Sequence, residues 1–139
     1  MTYKIIGKYI KDLSFSIPNP KTFFLLSKNI ENYKININIT SNQVKQNILE
    51  ILVSLNLTPT MNNFEKINTK IDFATIIELT KSNMNKEEIE EIVLIKVPTE
   101  IYSELRKIFI NLFENSGFKD IKISEKVDFQ KLYKMRKFQ

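Results

Sequence analysis

The chain has 139 residues with no histidine and no cysteine, and 21 Lys and Arg against 16 Asp and Glu give it a formal net charge of +5. This composition excludes disulfides, catalytic thiols, imidazole bases and the usual zinc ligands. We therefore expect no enzymatic activity, no metal and no other cofactor. Hydrophobic residues make up 42% of the chain, which predicts one globular domain over residues 1–139. No apolar run is long enough to cross a bilayer and no signal peptide precedes the first predicted strand, so we expect a cytoplasmic protein.

Four segments alternate apolar and polar residues, which predicts strands over residues 4–17, 33–40, 48–60 and 69–80. The first must end at Pro18-Asn19-Pro20, since proline lacks a backbone donor and disfavours helix at the residue before it. In this strand, strict alternation places Tyr9, Leu13, Phe15 and Ile17 on one face and Lys8, Asp12, Ser14 and Ser16 on the other. Short connections between successive strands predict an antiparallel meander.

The segment between the first two predicted strands, residues 19–27, is predicted to be a connection. It contains the apolar run Phe23-Phe24-Leu25-Leu26. Such a run either packs under the sheet or lines a hydrophobic surface. We take packing under the sheet as the default.

Helical signals dominate the second half of the chain. Asn85 is a predicted N-cap for a short helix that ends near Ile92, and Pro98 suits the first turn of a long helix that Gly117 would end. Residues 121–123 are predicted to be extended, and Asp128 to cap a final short helix. The long helix carries apolar residues beyond one stripe, which suggests a second covering surface and hence oligomerisation. These residues are Ile101, Tyr102, Leu105, Ile108, Phe109, Ile110, Leu112 and Phe113.

Several of these stretches resemble the SecB family of protein-export chaperones. The first strand and the turn after it resemble the family's Y-x-K-D-x-S-F and P-N motifs through Tyr9, Lys11, Asp12, Ser14, Phe15, Pro18, Asn19 and Phe24. Further similar stretches are Y-K-I-N-I-N-I-T at 33–40, A-T-I-I-E-L at 74–79, V-P-T-E-I-Y-S-E-L-R at 97–106, and the ending G-F-K-D-I-K-I-S-E-K-V-D-F-Q-K-L-Y at 117–133. The shared order and spacing cover nearly the whole chain.

The resemblance implies an α+β fold in which a four-stranded antiparallel sheet packs against one long helix in the C-terminal half and a short terminal helix. It also implies a homotetramer, built as a dimer of dimers, with the long helices between the sheets. The implied function is that of an ATP-independent holdase, which binds unfolded preproteins in the cytoplasm and delivers them to the SecA translocation motor. Neither nucleic-acid binding nor membrane insertion is expected.

The resemblance also implies three sets of functional residues. Candidates for a client-binding groove are the aromatic residues Phe15, Phe23, Phe24, Tyr33 and Phe73; plain core packing is the alternative for each. Candidates for the SecA contact are Asp12, Ile76 and Glu78, on the outward face of the first and fourth strands. Candidates for the oligomer interface are Ile101, Tyr102, Leu105, Phe109 and Phe113 on the long helix.

The sequence departs from the family pattern in charge. Members are usually acidic, whereas this chain is basic; Ser16 stands where an acid is common, Lys126 replaces a proline, and there is no tryptophan. Two alternatives to a general export chaperone remain. One is a small basic nucleic-acid-binding domain, which would need aromatic residues and lysines on an exposed sheet face. The other is a SecB-like chaperone dedicated to one client.

Overall fold

A computed structural model describes residues 2–29, 33–59, 67–118, 121 and 123–137. The four strands are β1 (Tyr3–Ser16), β2 (Tyr33–Lys45), β3 (Ile48–Pro59) and β4 (Asn68–Leu79). The helices are α1 (Pro20–Asn29), α2 (Lys86–Glu91), α3 (Val97–Asn115) and α4 (Phe129–Lys137). This arrangement confirms the predicted α+β class with its antiparallel sheet, long helix and short terminal helix. The predicted end of the third strand at Thr60 lies outside the described residues.

The strands are ordered β1-β4-β3-β2, and every neighbouring pair is antiparallel. Strands β2, β3 and β4 form the predicted meander. The expectation that the first strand also follows this order is wrong, because β1 pairs with β4 instead of β2. The two strands joined by α1 therefore form the opposite edges of the sheet.

Two register shifts interrupt β1, between Ile5 and Gly7 and between Ile10 and Asp12. A β-bulge adds one residue to one strand, so each shift moves the following side chains to the other face. Tyr9 consequently lies opposite Ala74, on the outer face of the sheet, away from the helices. The predicted placement of Tyr9 on the same face as Leu13 and Phe15 is wrong for this reason. The predicted placement of Lys8 on the same face as Asp12 is wrong for the same reason, because Lys8 lies opposite Thr75 on the side that faces the helices.

Helix α1 occupies the segment that the sequence predicted as a connection. The Asn19 side chain accepts a hydrogen bond of 2.8 Å from the backbone N–H of Thr22, and Pro20 is the first helical residue. An asparagine cap followed by proline favours a helix start, and this signal was present in the sequence. Thr22 and Leu26, one turn apart, are fully buried, whereas Phe24 is 63% exposed.

The predicted start at Asn85 and stop at Gly117 are confirmed, whereas the predicted end of the short helix near Ile92 is wrong, because the chain continues there in a π-helical turn. The Asn85 side chain caps α2 by accepting the N–H of Glu88 at 2.8 Å. A π-helical turn, Ile92–Lys96, joins α2 to α3 just before Pro98, which cannot donate to the helix ladder. Gly117 follows α3 with φ of 96°, a conformation that favours glycine. Ile121 and Ile123 belong to none of the described strands, and residue 122 lies outside the described part.

The core lies between the sheet and α3. Ile101, Leu105, Phe109 and Phe113 on α3 have no exposed surface. They belong to the same cluster as the buried side chains of the central strands, which include Ile51, Val53, Leu55, Ile71 and Ile77. Burial of this apolar area is the main stabilising contribution to the fold.

Polar contacts also fasten β1 to α3. The Tyr3 hydroxyl donates to the Glu100 carboxylate at 2.9 Å, and the Lys8 ammonium donates to Glu104 at 2.5 Å. Burial, followed by the contact with Glu100, raises the pKa of Tyr3 to about 12. Tyr3 is therefore a neutral hydrogen-bond donor at physiological pH, and β1 is held at a fixed position on the long helix.

Candidate functional site: the groove beside β2 and the outer face of the sheet

A groove runs beside the edge strand β2. It consists of two adjoining cavities of about 710 and 430 Å³, which share Ile39, Leu94 and Tyr133. We call it the edge groove. Its apolar lining comes from β2, α2, the π-helical turn and α4, through Ile37, Ile39, Ile89, Val93, Leu94, Leu132, Tyr133 and Met135. Elements that are distant in sequence thus meet along one side of the sheet.

Helix α4 forms the outer wall of the edge groove. The Tyr133 hydroxyl donates to the Glu90 carboxylate of α2 at 2.9 Å, and this hydrogen bond raises the pKa of Tyr133. Tyr133 lines both cavities and therefore marks the boundary between them. Leu132 and Met135, on the same wall, are 42% and 54% exposed, so apolar surface remains open to a ligand.

The edge groove combines two binding elements. Because β2 is an edge strand of the described sheet, the backbone groups on its outer side are not paired with another strand. An extended peptide can hydrogen-bond to such an edge while its side chains enter neighbouring apolar pockets. The edge groove therefore has the chemistry to bind an extended, apolar polypeptide without reading a particular sequence.

The five aromatic residues predicted for the client groove fall into three environments. Tyr33 and Phe73 are 7% and 4% exposed, so they belong to the core of the chain and offer a client little surface. Phe15 is half-buried against Phe113, with ring centroids 5.0 Å apart. Phe23 is half-buried against Phe118 at 4.8 Å. Phe24, 63% exposed, is the one of the five that presents most of its side chain to solvent.

The contribution of α4 to the edge groove was not predicted from the sequence. Leu132 and Met135 are three residues apart, so they lie on one face of the helix, with Tyr133 beside them. This spacing was visible in the sequence. However, nothing in the sequence indicated that the helix would lie beside β2, because that position depends on the strand order.

The three residues predicted for the SecA contact all lie on the outer face. Asp12 is exposed and opposite Asp72, Glu78 is opposite Lys4, and Ile76 is half-buried. Since Asp12 lies opposite Asp72, six residues of β4 separate its position from that of Glu78. At about 3.4 Å per residue, this places the two carboxylates about 20 Å apart. They share a face, but they do not form one local cluster.

A hydrogen-bonded network crosses the centre of the outer face. Lys11 donates to Glu50 of β3 at 2.7 Å, and the Tyr9 hydroxyl also donates to Glu50. The hydrogen bond from Lys11, and after it the one from Tyr9, lower the pKa of Glu50. The hydrogen bond to Glu50 raises the pKa of Tyr9. Both β1 side chains reach across β4, where Ala74 is fully buried. The small side chain of Ala74 leaves room for this crossing.

The five side chains predicted for the oligomer interface are already buried within a single chain. Ile101, Leu105, Phe109 and Phe113 are 0% exposed and Tyr102 is 5% exposed. The described apolar surface that remains open at this side of the molecule lies on β1 instead. Its large side chains are Ile10 and Leu13, which lie opposite Phe73 and Ile71 and are each 44% exposed, together with Ile6 at the first register shift, which is 49% exposed.

Two classes of site find no support in the described part of the chain. Its Asp and Glu residues form no group of three or more with the spacing to hold a metal ion. None of the described helices combines the length and apolar character that a membrane span requires.

The sequence matches a family model described as preprotein translocase subunit SecB over residues 1–139. A Pelagibacter ubique protein whose name describes it as a protein-export protein SecB is 38% identical over 134 residues, covering 96% of both chains. The protein-export protein SecB of Rhodospirillum rubrum is 26% identical over 132 residues, covering 95% of this chain and 80% of its own. Among solved structures, the fold is similar to that of a Mycobacterium tuberculosis SecB-like chaperone in complex with a ChAD peptide from the HigA1 antitoxin. The TM-score is 0.67 at 10% identity, covering 91% of this chain and 88% of the other.

Proposed function

Because this chain belongs to the SecB family, we propose that it is an ATP-independent holdase that keeps preproteins unfolded in the cytoplasm and delivers them to SecA. SecB proteins are chaperones of protein export rather than enzymes, and the chain shares this general role. In this proposal, one domain over residues 1–139 performs two steps, which are client capture and transfer to SecA. Each step uses a separate surface of the domain.

Client capture is assigned to the edge groove. An unfolded preprotein exposes apolar side chains and unpaired backbone groups, and the edge groove offers apolar walls beside an open strand edge. Burial of apolar surface needs no defined sequence. Several weak contacts along one client add to a useful total affinity when they act together. The peptide bound by the Mycobacterium tuberculosis chaperone supports a polypeptide ligand for this fold.

Multivalent capture requires several copies of the groove, which a homotetramer arranged as a dimer of dimers supplies. The exposed apolar row on β1, comprising Ile6, Ile10 and Leu13, supports such an assembly. The half-buried α3 residues Ile108, Ile110 and Leu112 add further apolar surface. In this proposal, these exposed and half-buried residues form the interface, and the fully buried residues of α3 pack against the sheet within each chain.

The direct test of holdase activity is light scattering from a chemically unfolded, secretion-competent protein diluted into buffer without ATP. We expect this chain to suppress aggregation, with saturation near one tetramer per client. A folded form of the same client serves as the control, because it should not compete for the groove. Aggregation that continues at excess chaperone would contradict the proposal.

Delivery to SecA is assigned to the outer face. Exchanging Asp12 and Glu78 for lysine, as the pair Asp12→Lys and Glu78→Lys, places positive charge at both ends of the face. We expect this double variant to lose detectable SecA binding while client binding stays unchanged, because like charges repel a basic partner. Calorimetric titration of SecA and the light-scattering assay measure the two properties separately. Unchanged SecA affinity would remove the outer face from the proposal.

A further inference from the structure

The carboxylates of the outer face are largely engaged by lysines of the same chain. Three ion pairs join Lys11 to Glu50 at 2.7 Å, Lys70 to Asp72 at 3.3 Å and Lys4 to Glu78 at 3.4 Å. All three lysines and all three acids lie on β1, β3 and β4. Among the described residues, Asp12 is the acid of this face that takes part in no ion pair.

The acids in these pairs differ in accessibility. The side chains of Glu50 and Asp72 are only 11% and 10% exposed, and Asp72 also accepts the Ser54 hydroxyl at 2.6 Å. Glu78 is 41% exposed and its partner Lys4 is 61% exposed. A protein that approaches this face therefore meets ammonium groups beside every paired acid.

Neutralised acids attract a basic partner weakly. At distances larger than the ion pair itself, the positive charge of each lysine cancels the electrostatic field of its carboxylate. Salt screens the residual field beyond about 10 Å. Long-range attraction and its salt dependence come from unbalanced charge. Apolar contact with Leu52 and Ile76, which are half-buried on this face, is not affected by this cancellation.

We propose that Lys4 and Lys70 lower the affinity of the outer face for SecA by neutralising Glu78 and Asp72. This inference rests on the proposed function, in which SecA binds the outer face. The wild-type contact then depends mainly on Ile76, Leu52 and the free carboxylate of Asp12.

The test compares Lys4→Gln/Lys70→Gln with a matched control, Lys28→Gln/Lys126→Gln. Both double variants remove two exposed lysines and lower the formal net charge by the same amount, but the control residues lie on α1 and on the loop before α4. Glutamine keeps the length and polarity of each side chain. Circular dichroism and the client assay establish that both variants fold and assemble as the wild type does.

SecA encoded in the same genome is titrated with each protein at about 50 mM and about 500 mM salt. We expect the outer-face variant to bind about three- to tenfold more tightly than wild type at low salt, with most of the gain lost at high salt. The control should change by less than about twofold, and the wild-type affinity should change by less than about threefold with salt.

The outcomes separate this inference from the proposed function. If SecA binds all three proteins equally, the lysines do not mask the acids and the inference is overturned, while the SecA contact stands. If the control gains as much as the outer-face variant, net charge alone acts and the inference is again overturned. If no form binds SecA yet all suppress aggregation, delivery to SecA fails and the inference fails with it, while holdase activity remains.

Discussion

The double replacement Leu132→Glu/Met135→Glu is expected to weaken client binding about tenfold or more. Both side chains line the edge groove, and both are about half exposed, so a bound client would cover their remaining apolar surface. Burying a large apolar side chain contributes about 1.5–3 kcal/mol, and a charge in its place must be desolvated as well. Titration of an unfolded client labelled with a fluorophore measures the change.

A matched pair of controls separates loss of apolar surface from other effects. The replacement Leu132→Lys/Met135→Lys introduces the opposite charge at the same positions, and it should weaken binding to a similar extent. Val44→Glu replaces an exposed apolar residue near the β2–β3 turn, outside the edge groove, and should leave client binding unchanged. Wild-type affinity in both α4 double variants would show that clients bind elsewhere, and the exposed Phe24 would be the next residue to replace.

The double replacement Ile10→Glu/Leu13→Glu is expected to break the assembly into smaller species. These side chains are each 44% exposed on the edge strand β1, so their charged replacements are hydrated in the single chain but buried in an interface. Leaving such charges buried and unpaired costs several kcal/mol in each interface. Size-exclusion chromatography with multi-angle light scattering should show a mass below that of four chains over a wide concentration range.

The assembly prediction carries its own control and a clear contrary outcome. Val44→Glu again adds one acid at an exposed apolar position, and it should leave the mass unchanged. The thermal unfolding curve of the Ile10→Glu/Leu13→Glu variant should remain cooperative, because neither residue belongs to the fully buried core. A variant that keeps the full tetrameric mass would contradict the role of β1. A wild-type protein that is monomeric at all concentrations would contradict the tetramer itself.

Local signals in the sequence determined most of the secondary structure. The alternation of isoleucines and polar residues from Tyr33 to Thr40 predicted β2, since successive side chains of a strand point to opposite faces. The caps at Asn85 and Asp128, and the stop at Gly117, predicted helix limits that the structure has. Helix α1 was not predicted, although Asn19-Pro20 is a favourable helix start, because Pro18 and Pro20 also end the strand before it.

The sequence also determined the family, through motifs spread in the correct order along the chain, and with it the general function. It placed Asp12, Ile76 and Glu78 on the outward face, and the strand pairing has them there. It did not place Tyr9 correctly. One extra residue reverses the faces of the residues up to the next shift. Gly7 at the first shift is a residue type that often marks a bulge in a strand, whereas the second shift, between Ile10 and Asp12, has no distinct residue signal.

The edge groove and the paired charges of the outer face were decided only by the tertiary structure. The groove exists because β1 pairs with β4, which leaves β2 at an edge where α2, the π-helical turn and α4 can line it. The ion pair between Lys11 and Glu50 joins residues 39 positions apart. Local periodicity specifies which face of an element is apolar, whereas long-range pairing specifies which faces meet. Contacts between distant segments therefore decide where this chain offers surface to a partner.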